Sequence, residues 1–261
     1  MSSTPPPPAI TRWDGSEFRD LDYCDMVEGP VVAADSWRVE DGRTLALELH
    51  RQRLTAAAER HGHVLPDELW NAAIARIPRT GSWFPRIDLS EIDGGARWEL
   101  RVRPAPARQD SAVLATASVD PRTEPLTKGP DLAALLALRT SVQSTGANEA
   151  IILSPEGELV DGATSAILWW DAEALCIPDP SLLRTDSVTA GVIVTLATAF
   201  GVDVLHERRS PAELDGREIW IVNALHGIRI VTAWVDGPSP AQEPGRLRLW
   251  RQRLDALTRA G

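Results

Sequence analysis

Between residues 130 and 235 the apolar positions keep switching period, and this alternation limits the fold more than any other feature of the chain. Leu132, Leu135, Leu136 and Leu138 recur at helical spacing over 130–145, and Gly146 stands where a left-handed C-terminal cap belongs. The next apolar run, 149–153, has strand length. It turns through Ser154-Pro155-Glu156-Gly157 into 158–160, which predicts a hairpin. Short strands are expected at 166–170 and 174–177, then a helix capped by Ser187 or Thr189 and running to about Phe200. Strands at 202–207, 218–223 and 228–235 and a closing helix from Arg246 complete the pattern. Helices and strands in alternation make an α/β unit.

The first half carries its own periodicity. A short apolar strand at 44–47 leads into a helix at 48–61 with Leu54, Ala57, Ala58 and His61 on one face. Pro66-Asp67-Glu68 opens a second helix bearing Trp70, Ala73, Ile74 and Ile77, and Pro78 closes it. Trp98, Leu100 and Val102 alternate with Glu99, Arg101 and Arg103, the period of a half-buried strand. Trp70, Trp98, Trp169 and Trp220 all fall at apolar positions and are expected in the core. The expected organisation is a disordered proline-rich tail (1–9), an N-terminal α/β domain (10–103), a Pro104-Ala105-Pro106 linker and a C-terminal α/β domain (107–261).

Charge and cysteine content exclude several classes. A net charge of −10 repels nucleic acid and anionic membrane surfaces. Cys24 and Cys176 give no disulfide framework and too few thiols for a zinc or iron–sulfur site. The longest apolar run, 190–200, is interrupted by Thr195 and Thr198 and is too short to span a bilayer. A soluble, cytoplasmic protein is expected. His61-Gly62-His63 lacks a further ligand at metal spacing and reads as a helix-end pair.

One count is sharper than the rest. Of 27 basic residues, Lys128 is the single lysine. Arginine replaces lysine as a surface charge, but it cannot give up its proton and attack a carbonyl. Lys128 is therefore a candidate for amine chemistry, although on this count alone a solvated surface charge is the favoured reading. Three other features suit an anionic, ring-bearing ligand. Arg53 opens a helix and suits a phosphate, or is merely solvated. Asp161, in a polar turn between apolar strands, suits a ring nitrogen, or simply forms the turn. Ser187, Val188 and Thr189 at a helix start suit an anion, or only cap the helix.

Taken in order, His50-Arg51-Gln52-Arg53-Leu54, Lys128-Gly-Pro-Asp131, Arg139, Gly146-Ala-Asn-Glu149-Ala150 and Gly157-Glu-Leu-Val-Asp161-Gly162 resemble the fold-type IV pyridoxal 5′-phosphate enzymes, the class IV aminotransferases. The resemblance runs from about residue 35 to 235. The later Asn223-Ala-Leu-His226-Gly227-Ile228 is similar to the 4-amino-4-deoxychorismate lyase branch. It implies a two-domain fold like D-amino-acid aminotransferase, with the cofactor between domains, in a homodimer acting on a small amine or amino acid. Lys128 would be the Schiff-base lysine, Arg53 a phosphate ligand, and Asp161 the partner of the pyridine nitrogen where the family has glutamate. Ser187, Val188 and Thr189 would form the second phosphate contact, while Arg103 and Asn223 would meet substrate. No metal is implied. Asp35-Ser36-Trp37 stands in place of the family's usual N-terminal motif, Ala166 in place of a common asparagine, and Ala133 in place of a frequent tyrosine. The expected reaction is elimination of pyruvate to give 4-aminobenzoate. The alternatives are transamination of a branched-chain or D-amino acid, and a catalytically silent cofactor-binding relative.

Overall fold

The computed structural model describes residues 9–21 and 29–261, so Cys24 and residues 1–8 of the expected tail lie outside the described residues. The chain divides into two units. The first takes residues 1–107, 127–130 and 257–261. Its main sheet is antiparallel throughout, in the order Phe18–Asp20, Ala9–Trp13, Gly95–Val102, Arg86–Ile92, Val31–Ser36. Gly95–Val102 behaves as its alternation requires: Trp98 and Leu100 are buried and the residues between them are less so. Helices Leu47–Arg60 and Asp67–Arg76 send Leu54, Ala57, Leu69, Trp70 and Ala73 into a core shared with Ile87, Leu89, Trp98 and Leu100. Burying each large apolar side chain contributes roughly 1.5–3 kcal/mol.

The expected strand at 44–47 is shorter in the structure. Ala46 adopts a left-handed conformation, φ 50° and ψ 47°, which breaks extended pairing after Thr44 and starts the helix at Leu47. Arg43–Thr44 instead joins a small sheet in the order Arg259–Ala260, Arg43–Thr44, Val39–Glu40, Ser82–Trp83. At the end of the first helix His61 N–H donates to the Ala58 carbonyl and Gly62 N–H to the Glu59 carbonyl, and His63 Nε2 lies 2.9 Å from Glu91.

The second unit takes residues 108–126 and 131–256. Its eight strands run Leu159–Gly162, Glu149–Leu153, Ser111–Thr116, Gly227–Val235, Ile219–Asn223, Ala166–Asp171, Ala174–Pro178, Val204–Glu207. Ser111–Thr116 pairs in parallel with both neighbours, whereas Leu159–Gly162 and Glu149–Leu153 form the antiparallel hairpin expected from the Pro/Gly turn. Helices Leu132–Ser141, Val188–Ala199 and Pro244–Ala256 match the helical segments read from the sequence. Gly146 caps the first of them, after a 3₁₀ turn, at φ 87°. Trp169 and Trp220 are buried, as their apolar positions require. No helix among the described residues is long and apolar enough to cross a membrane.

The sequence reading put Lys128 and residues 257–261 in the C-terminal domain, and the structure groups both with the first unit, Lys128 within the segment Thr127–Pro130. Ala34 N–H donates to the Lys128 carbonyl at 2.7 Å. A Cβ on Gly129 would lie 2.7–2.9 Å from the backbone of Ala33, so only glycine lets the two chains approach.

Candidate functional site

In the first unit the candidate groups depend on one strand. Val31–Ser36 carries Asp35, whose side chain is fully buried. Asp35 accepts from Arg53 Nε at 2.7 Å and from Arg53 Nη2 at 2.9 Å, and lies 2.8 Å from His50 Nδ1. His50 and Arg53 stand one helical turn apart on Leu47–Arg60, so both reach the same carboxylate. Burial opposes the charge on Asp35. The Arg53 guanidinium and the His50 hydrogen bond outweigh it and hold the carboxyl well below the usual carboxylate range. Burial pushes the His50 imidazole below its ordinary range. A neutral ring beside an ionised carboxylate must carry its proton on Nδ1, which therefore donates. The same strand, through Ala34 and Ala33, holds the backbone of Lys128 and Gly129. Lys128 is half-buried.

Arg103 follows the central strand Gly95–Val102 and is exposed, with its guanidinium 5.1 Å from the centre of the Phe84 ring. Desolvation and the neighbouring Arg86 and Arg101 make it a somewhat weaker base than an ordinary arginine.

In the second unit Asp161 sits in the strand Leu159–Gly162 opposite Ile152, at the start of the turn that leads to Ala166. Desolvation pushes its carboxyl up to about 7, against the opposing pull of Arg122, Arg184 and the Gly162 amide. Both arginines are held by other partners: Arg122 grips Asp120, and Arg184 donates to the carbonyls of Pro178, Asp179 and Leu182. Ser187 is the N-cap of Val188–Ala199, its hydroxyl accepting from Ala190 N–H at 3.3 Å. Val188 and Thr189 are buried at the first helical positions, whose amides have no partner within the helix. Thr189 adds a hydroxyl there.

Asn223 is occupied by its own surroundings. Its Nδ2 donates to the Thr164 carbonyl at 3.2 Å and to Ser165 Oγ at 3.0 Å, and its Oδ1 accepts from the amides of Leu225 and His226. His226 is buried and its Nδ1 accepts from Gln109 N–H, which makes it part of the turn.

The model of the amino-transferase class IV family matches residues 33–234, more than three-quarters of the chain. The chain belongs to the class IV aminotransferase family. The fold comparisons agree. A hypothetical aminotransferase from Mycobacterium tuberculosis, also solved in a PLP-bound form, superposes with a TM-score of 0.80 at 21% identity, covering 96% of this chain and 98% of that one. A fold IV transaminase from Curtobacterium pusillum gives 0.79 at 17% identity, covering 95% and 99%. The branched-chain amino acid aminotransferase of Escherichia coli gives 0.79 at 17%, covering 95% and 94%. No curated protein sequence is detectably similar.

Class IV aminotransferases are pyridoxal-phosphate enzymes, and the donor set of this family member suits that cofactor. An aldehyde needs an amine, a phosphate needs a guanidinium or helix amides, and a pyridinium needs a carboxylate; Lys128, Arg53, Val188, Thr189 and Asp161 supply these types. Sequence reasoning missed Asp35 as the partner of Arg53, and Arg122 and Arg184 as the charges facing Asp161. The His-x-x-Arg spacing carried half of the first relationship, since two polar side chains one turn apart imply a shared partner. Nothing in the sequence said which acid it was.

Proposed function

We propose that this enzyme transforms the amino group of a small amine or amino acid, with transamination as its reaction. The observation that carries the reading is the strand Val31–Ser36, which holds the backbone of the only lysine and the carboxylate that orients Arg53. When bound, the cofactor supplies an electron sink for charge developing at the carbon that bears the amine. Lys128 would hold the cofactor through its amine and would carry the proton at that carbon. Arg53 binds the phosphate as a guanidinium already fixed in direction by Asp35, so little side-chain freedom is lost on binding. Val188 and Thr189 contribute amides and a hydroxyl to the same phosphate, while Ser187 acts through the cap it makes. Asp161 keeps the ring nitrogen protonated. Its carboxyl, pushed up to about 7 by desolvation despite Arg122 and Arg184, ionises readily once a further cation stands beside it. Arg103 is the proposed partner of a substrate carboxylate, and a homodimer is the expected assembly.

Transamination is preferred to pyruvate elimination because Asn223, the residue that pointed to the lyase branch, spends its amide on the Thr164–Ser165 turn. The lyase reading keeps one observation in its favour: exposed Ala133 stands where many transaminases carry tyrosine. The deciding experiment incubates the cofactor-loaded enzyme with amino acids, with and without a 2-oxo acid, and separately with 4-amino-4-deoxychorismate. Amine transfer that requires the 2-oxo acid supports the proposal. Pyruvate and 4-aminobenzoate released together without an acceptor establish the lyase instead. Turnover of nothing by a protein that takes up cofactor marks a silent relative.

A further inference from the structure

The turn that carries Asp161 is anchored from beneath by a buried acid with no role in the reading above. Glu149 is fully buried on Glu149–Leu153. Its Oε1 accepts from Thr164 N–H at 2.9 Å, and its Oε2 accepts from Thr164 Oγ1 and Ser165 Oγ, both at 2.7 Å. Arg229, also fully buried, lies 3.3 Å from the same Oε2 and donates to Ser165 Oγ at 2.9 Å. The Ser165 carbonyl in turn accepts from Gly162 N–H at 2.7 Å, and a Cβ on Gly162 would lie 2.6 Å from that carbonyl. Ser165 is thereby fixed on both its side chain and its backbone. Gly162, next to Asp161, is fixed through it.

A carboxylate this deeply buried is costly to desolvate and persists only where its lone pairs are used, as they are here. A capped turn needs one such bond, whereas Glu149 makes three to the same two residues and is paired to a buried cation as well. This exceeds what joining two strands requires. We infer that Glu149, paired with Arg229, is a positioning residue that sets the direction of the Asp161 carboxylate by holding the 162–165 turn. The inference rests on the proposed role of Asp161 toward the cofactor ring and extends that role to residues beneath it.

The test is a double-mutant cycle on the holoenzyme with Glu149→Gln and Asp161→Asn, reading pyridoxal phosphate affinity and the absorption band of the bound cofactor. Glutamine keeps the shape but has one acceptor oxygen where Glu149 uses two. Glu149→Gln is expected to weaken cofactor binding about tenfold and to shift the band in the same direction as Asp161→Asn. The double variant is expected to bind no more weakly than Asp161→Asn alone, because a positioning residue has nothing left to position. Effects that multiply, or a band left unmoved by Glu149→Gln, overturn the inference while leaving the role of Asp161 intact. An Asp161→Asn variant with unchanged affinity and band overturns both. If Glu149→Gln fails to fold, Ser165→Ala removes the hydroxyl that links Glu149, Arg229 and Asn223 and is judged by the same cycle.

Discussion

Asp35 holds Arg53 by both Nε and Nη2, at 2.7 and 2.9 Å, so the candidate phosphate guanidinium is locked in direction by a carboxylate with no exposed surface. Asp35→Asn keeps the size and one acceptor but removes the charge. Because Arg53 retains slight exposure, the expected destabilisation is about 2–3 kcal/mol, below the full cost of orphaning a deeply buried ion. The folded carboxyl titrates below its unfolded value, so its stabilisation is complete above the ordinary carboxylate range and is lost as pH falls through and below it. Denaturant midpoints measured from pH 7 down to pH 3 should decline less in the Asn variant than in the wild type. Parallel declines would mean that the pair contributes nothing.

Lys128 should be the sole site of covalent attachment. Borohydride treatment of the cofactor-loaded enzyme should fix the group to the tryptic peptide running from residue 123 to 139, since a modified Lys128 is no longer cleaved. Lys128→Arg should take up no label. Label recovered on any other peptide refutes the assignment.

Gly129→Ala tests the close approach directly. A methyl group at 2.7–2.9 Å from the Ala33 backbone meets main chain, which cannot swing aside as a side chain can. Loss of about 2 kcal/mol or more is expected by thermal unfolding, together with reduced borohydride trapping because Lys128 moves with its neighbour. Normal trapping in a destabilised variant would separate the two effects and show that the lysine does not depend on this contact.

Asp161 runs opposite to Asp35 in its pH dependence. An ordinary aspartate titrates near 3.8 and this one at about 7, so folding favours its protonated form. The associated stability is fully present below about pH 4 and is lost as pH rises through 7. In cofactor-free protein Asp161→Asn should therefore be neutral at pH 4 and stabilising at pH 8, by no more than about 4 kcal/mol. Thermal midpoints at the two pH values measure this. Destabilisation at pH 8 would show that Arg122 and Arg184 already hold the group ionised.

Excess pyridoxal phosphate should restore activity to Arg53→Ala, whose defect is affinity alone, and leave Asp161→Asn inactive even at saturation, because its weaker binding comes with loss of the protonated ring. Saturation curves for the two variants distinguish these behaviours, and the opposite pattern would exchange the two roles.

Local chemistry was readable without the fold. The helical spacing of Leu54, Ala57 and Ala58, the alternation of Trp98 and Leu100, the Pro/Gly turn before Leu159 and the Ser187 cap are all decided within a few residues, and the structure contains each of them. The solitary lysine and the order of motifs around it were enough to identify the family. The strands Val31–Ser36, Arg86–Ile92 and Ser111–Thr116 were not legible, because strands covered on both faces lose the alternation that marks a half-exposed strand. In the sequence Asp35 and Glu149 stand within motif segments, with nothing to say what either would bind. Only the tertiary structure, bringing Arg53 to one across 18 residues and Arg229 to the other across 80, turns them into buried charges with fixed partners. A sequence specifies which groups are available, but the cost of desolvating a charge, and hence what it must bind, is set by neighbours that the chain reaches only when folded.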